Sequence, residues 1–255
     1  MEKSKMNIRG QLTIFIIAAI MIAVAIVAIF FFYGDVIIQS PDKSNPQKFI
    51  DECAKKAVEP SIKKVLENGG LLNPVLKISY YSENYTYLCY QNNYYLSCVN
   101  QMPNIKDVIE KQIKQDSENR IKECFDSLIQ ELENKNYAVT EGALIYSINL
   151  APKTVILNIN KQFDISKQDQ GSQSFVNFNV RLMSPLYDLS MVAREIVNQE
   201  SQYCNFEYNG FMLLYPEYDI KRISYGESRI YKLVDRRTGK EFKFAVRSCA
   251  FPPGY

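Results

Sequence analysis

From Leu12 to Tyr33 the chain carries no charged residue, no Pro and no Gly. At about 1.5 Å per residue such a run reaches roughly 33 Å as a helix, enough to cross a hydrocarbon core about 30 Å thick. A helix is also the one open-ended structure that satisfies its own backbone inside lipid. Lys3, Lys5 and Arg9 precede the run, while Asp35 and Asp42 follow it. The positive-inside bias then predicts a cytoplasmic basic leader over 1–10, a transmembrane helix over 11–33, a linker over 34–46 and an extracytoplasmic domain over 47–255. Membrane lipid is thus the expected partner of residues 12–33. A cleaved secretory signal is disfavoured because its apolar region usually spans about 7–15 residues. This run is longer and ends in Phe30-Phe31-Phe32-Tyr33, where a signal peptidase wants small side chains.

Arg9-Gly10-Gln11-Leu12-Thr13, directly before the apolar run, resembles the class III signal of archaeal type IV pilins. That likeness implies processing between Gly10 and Gln11 with the helix retained. The family commonly carries Glu at the fifth residue after the cut, where this chain has Phe15, and its helix runs unbroken into the outer domain. Gly34, Pro41 and Pro46 interrupt the helix here, so the likeness speaks for processing more than for filament assembly.

Past the linker, Pro46 after Asn45 suits the first turn of a helix. Phe49, Ile50, Cys53, Ala57 and Val58 recur at helical spacing, and Pro60 is expected to kink or restart the helix before Asn68-Gly69-Gly70 ends it. Between Val75 and Val99 the pattern reads as strands, with Tyr85–Tyr90 and Tyr94–Cys98 predicted to form a hairpin around Asn92-Asn93. Ile105, Val108, Ile109, Ile113, Ile121, Cys124, Phe125, Leu128, Ile129 and Leu132 make one apolar stripe, predicting an amphipathic helix to about Glu133. The period then falls to two. Leu144–Ile148 and Val155–Ile159 should meet across Ala151-Pro152-Lys153, with Phe175–Val180 as a third antiparallel strand. Pro185 opens a further helix carrying Leu189, Val192, Ala193, Ile196 and Val197 on one side. Arg229–Asp235 and Glu241–Arg247 form a closing hairpin around Thr238-Gly239. The expected fold class is α+β, an antiparallel sheet packed with two or three long helices.

Taken together, the Arg9-Gly10-Gln11 entry, the Cys53 helix ending at Gly69-Gly70, the Cys124 helix, the meander, Met191-Val192-Ala193-Arg194-Glu195-Ile196-Val197 and Phe244-Ala245-Val246-Arg247 resemble a group of single-span surface proteins of small-genome archaea. The resemblance implies location and fold and carries no activity with it.

Chemically, the chain is constrained most by having no His. That removes Ser-His-Asp and Cys-His activation, HExxH zinc sites and imidazole proton shuttles. One catalytic pattern remains to be weighed, the S-x-x-K, S-x-N, K-T-G set of penicilloyl-serine enzymes. Ser61-Ile62-Lys63-Lys64 fits the first element, Ser117-Glu118-Asn119 loosely the second, and Arg237-Thr238-Gly239 imitates the third. Ser117 falls within a long helix and Thr238 within a hairpin turn, where that chemistry needs a strand beside the nucleophile, so no catalytic residue is assigned. Asp51-Glu52 and Glu131 with Glu133 fall on helix surfaces and read as solvated faces. No cofactor or metal site is expected. Net charge is +2 from 30 basic and 28 acidic residues without a basic stripe, so no nucleic-acid partner is expected.

Tyr80, Tyr81, Tyr85, Tyr87, Tyr90, Tyr94 and Tyr95 crowd one region. Tyr packs well on sheets and is also favoured at recognition surfaces; sheet packing is the primary reading and a binding surface the second. Asn84-Tyr85-Thr86 is a glycosylation sequon, Asn84 being its acceptor.

All six cysteines follow the apolar run, and outside the cytoplasm an even count favours disulfides. Cys89 and Cys98 stand on the two arms of one predicted hairpin. Cys53 and Cys124 lie in the apolar stripes of two long helices. Cys204 and Cys249 remain, tying the tail to the end of the third helix. A thiolate metal site is disfavoured because no C-x2-C pair occurs. The expectation for function is a membrane-anchored surface protein with a non-catalytic structural or binding role toward a protein or glycan partner outside the cell. The alternatives are a pilin-like subunit processed after Gly10 and, more distantly, a His-independent hydrolase.

Overall fold

The structure is a computed structural model and describes residues 20–22, 45–167, 171–252 and 254. Two compact units divide at residue 42, namely residues 1–42 and 43–255. Within the first, residues 20–22 are helical and their Ile, Met and Ile side chains are exposed. The rest of the 12–33 span lies outside the described residues, as do Gly10 and Gln11. Among the described residues no helix is long and apolar enough to cross a membrane.

The second unit is α+β. Its helices are α1 (Pro46–Glu67), α2 (Ile105–Asn134), α3 (Leu186–Tyr203) and the short α4 (Tyr208–Leu214). Asn45 caps α1 by accepting from Gln47 N and Lys48 N, at 3.1 and 3.3 Å, which satisfies donors that a helix start leaves open. At the far end Gly70 N donates to Val65 O at 2.7 Å, the long bond of a Schellman turn. Gly69 (φ +64°) sits there so close to the strand Glu241–Arg247 that an added Cβ would stand 3.0 Å from Lys243 O, which leaves room for glycine alone.

Pro60 does not break α1: the helix is continuous from Pro46 to Glu67. Pro60 lies on the exposed side. One turn away, Arg120 on α2 donates Nε to Ala57 O at 2.7 Å and Nη2 to Ser61 Oγ at 2.6 Å. The neighbouring helix thus holds a backbone turn that an interior proline would otherwise weaken.

One sheet was expected and two are present. The smaller is wholly antiparallel. Its long central strand β6 (Thr154–Lys167) pairs along one side with β7 (Gly171–Met183). Along the other side it pairs with β5 (Ile145–Ala151) and then β4 (Ala138–Glu141). The Ala151-Pro152-Lys153 turn lies where the sequence predicts it, with Ala151 opposite Thr154.

The larger sheet is mixed. It runs β1 (Lys77–Tyr80), β2 (Glu83–Tyr90), β10 (Glu241–Arg247), β9 (Ser228–Asp235), β8 (Tyr218–Tyr225), with the two-residue β3 (Val99–Asn100) also on β2. The expected hairpin between Tyr85–Tyr90 and Tyr94–Cys98 is not formed. β2 instead turns back at Tyr81-Ser82 to pair with β1, and on its other side pairs parallel with β10. Cys89 stands opposite Asn100 rather than Cys98. The physical reason is that residues 91–98 form a loop held by main-chain bonds to the C-terminal segment: Tyr95 N to Ala250 O at 2.9 Å and Cys249 N to Leu96 O at 2.8 Å.

Helix α3 touches strands of both sheets, and α1 packs on α2, β7 and β10. The core between them includes Ile50, Val58, Val65, Ile113, Phe125, Phe163, Leu189, Ile196, Phe242 and Phe244, all buried. Three disulfides tie it: Cys53–Cys124 between α1 and α2, Cys89–Cys98 from β2 to the loop, and Cys204–Cys249 from the end of α3 to the tail. No cysteine is free.

Candidate functional site

The larger sheet is curled, and the curl makes the site. β1 and β8 are its two edges, four strand spacings apart, which in a flat sheet is about 19 Å. Yet the rings of Tyr80 on β1 and Tyr225 on β8 have centroids only 4.9 Å apart. The tight return at Tyr81 (φ 46°) and Ser82 (φ 65°) has both central residues left-handed, the twist that suits a two-residue hairpin.

The inner face of this half-barrel has its own small core. Tyr85, Tyr87, Ile230 and Ala245 are buried in it, with Ile78, Tyr80, Tyr90 and Ile223 packed against them. The tyrosine-rich stretch therefore divides in two. Tyr85 and Tyr87 are interior, as alternation implies, while Tyr81, Tyr94 and Tyr95 are exposed.

One end of the half-barrel is closed by charge. Glu83 receives Lys232 Nζ and Lys243 Nζ, each at 3.0 Å, and the hydroxyl of Tyr85. The Tyr85 hydrogen bond, followed by the two lysines, holds the Glu83 carboxyl down to about 2. Lys232 rises correspondingly to about 12, chiefly through its bond to Tyr85. A carboxylate with a depressed folded value stabilises the protein fully above its unfolded value of about 4.5 and loses that contribution as pH falls through about 2. Between those limits, therefore, E83Q is expected to lose less stability on acidification than the unaltered chain. Thermal melts from pH 5 to pH 2 check this, and parallel curves for the two proteins would refute it.

The other end is open. A cleft of about 1030 Å³ lies there between residues Leu76 to Ile78, where β1 begins, and the β8–β9 turn (Ser224 to Ser228). On its floor Tyr87 and Ser228 share a hydroxyl hydrogen bond of 2.7 Å. Arg247 Nε donates to Glu227 Oε2 at 2.9 Å, a second nitrogen reaches Gln91 O, and the guanidinium lies 5.3 Å from the Tyr94 ring centre. Tyr94 in turn donates to Glu227 Oε1 at 2.7 Å. These bonds, that from Arg247 foremost, lower the Glu227 carboxyl below its ordinary range. The Tyr94 hydroxyl is raised by the same carboxylate.

The C-terminal segment forms a lip over the cleft. Phe251 stacks edge-on against Tyr95 at 5.5 Å, and Cys204–Cys249 pins the segment to α3. Beneath the lip lies Glu200, fully buried. It receives Tyr231 at 2.5 Å and the guanidinium of Arg229, whose other nitrogen donates to Ser248 O at 2.8 Å. Ser248 Oγ donates to Glu200 O and accepts from Cys98 N, joining helix, loop and tail. Burial raises the Tyr231 phenol well above its ordinary range, with Glu200 adding to it.

The sequence pointed to the tyrosines but missed Glu200, Arg229, Arg247 and Glu227. Glu200 had a signal: it continues the Ala193, Ile196, Val197 stripe of α3, and an acid on an apolar stripe needs a buried cation. Glu227 had none, since it lies in a turn and its partner stands twenty residues on, at the end of β10.

The three imitation motifs do not meet in a site of their own. Ser61 joins α1 to α2, donating to Asp116 Oδ2 at 2.7 Å and accepting from Arg120. Lys64 is exposed. Ser117 is buried and bonds back to Ile113 O at 2.7 Å within its own helix. Thr238 sits in the β9–β10 turn, where its N–H donates to Asp235 at 3.0 Å. Asp51 pairs with Lys55 at 2.6 Å along the helix surface. Asn84 is exposed on β2, accepting from Ser79 Oγ at 2.7 Å, while Thr86 of the same sequon is buried against Asn68 O. Among the described residues no cluster of acids and cysteines is placed to hold a metal ion.

The cleft thus offers aromatic rings, hydroxyls and main-chain groups, with its arginines already matched to carboxylates. No protein-family profile, curated protein or solved structure matches the chain.

Proposed function

We propose that this chain is a membrane-anchored cell-surface protein, held by residues 12–33, whose outer domain binds a partner outside the cell through the tyrosine-lined cleft. The observation that carries the placement is the use of all six cysteines in three disulfides, a state favoured where thiols are oxidised. The apolar run with its basic leader supports the same placement. The binding role rests on exposed apolar side chains lining one opening, Leu76, Tyr225 and Phe251, with exposed Tyr95 packed on Phe251. Exposed apolar patches of this kind mark interaction surfaces. Charge pairing within the cleft leaves recognition, rather than bond-making, as the chemistry best supported.

A phosphatase reporter and a cytoplasm-dependent fluorescent reporter, each fused after Tyr255, test the placement. The phosphatase fusion is expected to be active and the fluorescent fusion dark; the reverse pattern would remove the anchored-surface reading. Recovery of the chain chiefly in sheared fibres with Gln11 at its N-terminus would replace it with the pilin-like one.

A further inference from the structure

We infer that the cleft takes an extended peptide segment of another protein, which adds as a strand to the open edge of β8 opposite β1. The inference rests on the binding role proposed above and specifies the partner's chemistry.

The argument begins with alternation along β8. In an antiparallel ladder every second residue turns its N–H and C=O toward the partner strand and the residues between turn theirs away. Tyr218 N and Ile220 N both point away from β9, since they donate to Tyr215 O at 3.2 Å and Met212 Sδ at 3.1 Å. The β8–β9 register runs without a bulge to Tyr225 opposite Ser228. Arg222 and Ser224 therefore also face outward, and their main-chain groups have no bonded partner among the described residues. The Arg222 side chain turns back over the Tyr208 ring of α4 and donates to Asn205 Oδ1 at 2.8 Å, which leaves Ser224 as the open end of the edge. On β1, Leu76 O accepts from Tyr87 N at 3.0 Å, so Leu76 faces β2 and Lys77 and Ser79 face away. Two unpaired edges thus border one opening, with Ser224 and Lys77 both lining it.

Unpaired edges are templates for strand addition, and natural sheets usually cover or charge them. Here the edges carry Lys77 on β1 and Lys221 on β8, while the cleft between them is lined by the rings of Tyr87, Tyr90 and Tyr225. An added strand would lay alternate side chains against Tyr225 and Tyr90, which line the same cleft.

Charge narrows the sequence of that strand. Arg229 and Arg247 are matched to Glu200 and Glu227. Lys77 is exposed, and among the described residues no carboxylate is paired with it. The complementary segment is mainly apolar with one acidic side chain opposite Lys77. A free glycan would use the rings but leave the outward amides of Ser224 and Lys77 without a repeating partner.

The test uses the full chain in detergent micelles and a synthetic library of peptides about ten residues long, the upper range of ordinary strands. Peptides that bind are expected to be apolar with one acid, and N-methylation at alternate positions should weaken them about tenfold while the positions between tolerate it. S224P, which deletes an outward amide and leaves the β8–β9 ladder bonded, should weaken binding comparably, whereas S224A should not. The N-methyl series on the unaltered chain gives the same answer if S224P does not fold. Binding of neutral oligosaccharides but no peptides would overturn the inference. So would N-methyl effects without alternation, or a concentration-dependent dimer of the chain that occupies the edge. A domain found outside the cell that binds none of these peptides sinks strand addition alone. A domain found inside that binds them sinks the surface placement alone.

Discussion

Replacing Cys53 and Cys124 together by alanine should lower the unfolding free energy by about 4 kcal/mol on the chain-entropy account. The two are 71 residues apart, with Cα atoms at 5.8 Å, and they join the long helices α1 and α2. Without the link, the unfolded chain regains the freedom of a long loop, while the folded helices still meet through Ile50, Val58 and Ile113. The Cys89–Cys98 bond closes a separation of only nine, so C89A/C98A should cost less, about 2.5 kcal/mol on the same account. Urea unfolding of the two double variants beside the unaltered chain decides the matter. An equal or reversed order of midpoints would mean that the α1–α2 bond acts through something other than loop closure.

E200A is expected to cost about 3–5 kcal/mol, the range for breaking one side of a buried ion pair. Glu200 is fully buried and its partner Arg229 has a side chain 20% exposed. The alanine leaves a guanidinium without its counter-charge and the Tyr231 hydroxyl without its acceptor. E200Q retains an acceptor for Tyr231 and should lose less. E200A/R229M, which removes both charges, should recover part of the loss because the uncompensated cation is the main cost. A single variant within about 1 kcal/mol of the parent would show that the network is solvated in a way its burial does not suggest.

The sequence disclosed most where local chemistry alone decides structure. The stripes of α1, α2 and α3, the Pro152-Lys153 turn and the Thr238-Gly239 turn all follow from spacing and turn residues within one segment. The failures concern distant pairings. The parallel partnership of β2 with β10 leaves no turn between its strands, and so no local mark. The true return of β1 into β2 uses Tyr81 and Ser82, neither of which announces a left-handed turn as Asn-Gly does. At Pro60 the helix runs on rather than restarting, and Arg120, sixty residues on, bonds to the turn beside it. For the site, the tyrosines were visible and their sorting into interior and rim was not, because that depends on a curl set by strands from both ends of the domain.

The position of β10 also bears on how the protein is made. The final strand, Glu241–Arg247, lies in the middle of its sheet between β2 and β9. On the surface placement proposed above, a chain threaded outward from its N-terminus presents β2 long before its central neighbour β10 and leaves an aromatic strand without its cover in the meantime. The cysteines meet the same schedule. Cys89–Cys98 is nested inside Cys53–Cys124, so an oxidant that joined cysteines in order of arrival would first link Cys53 to Cys89. The nested pairing on that proposal favours late oxidation or active reshuffling of disulfides over simple first-come pairing.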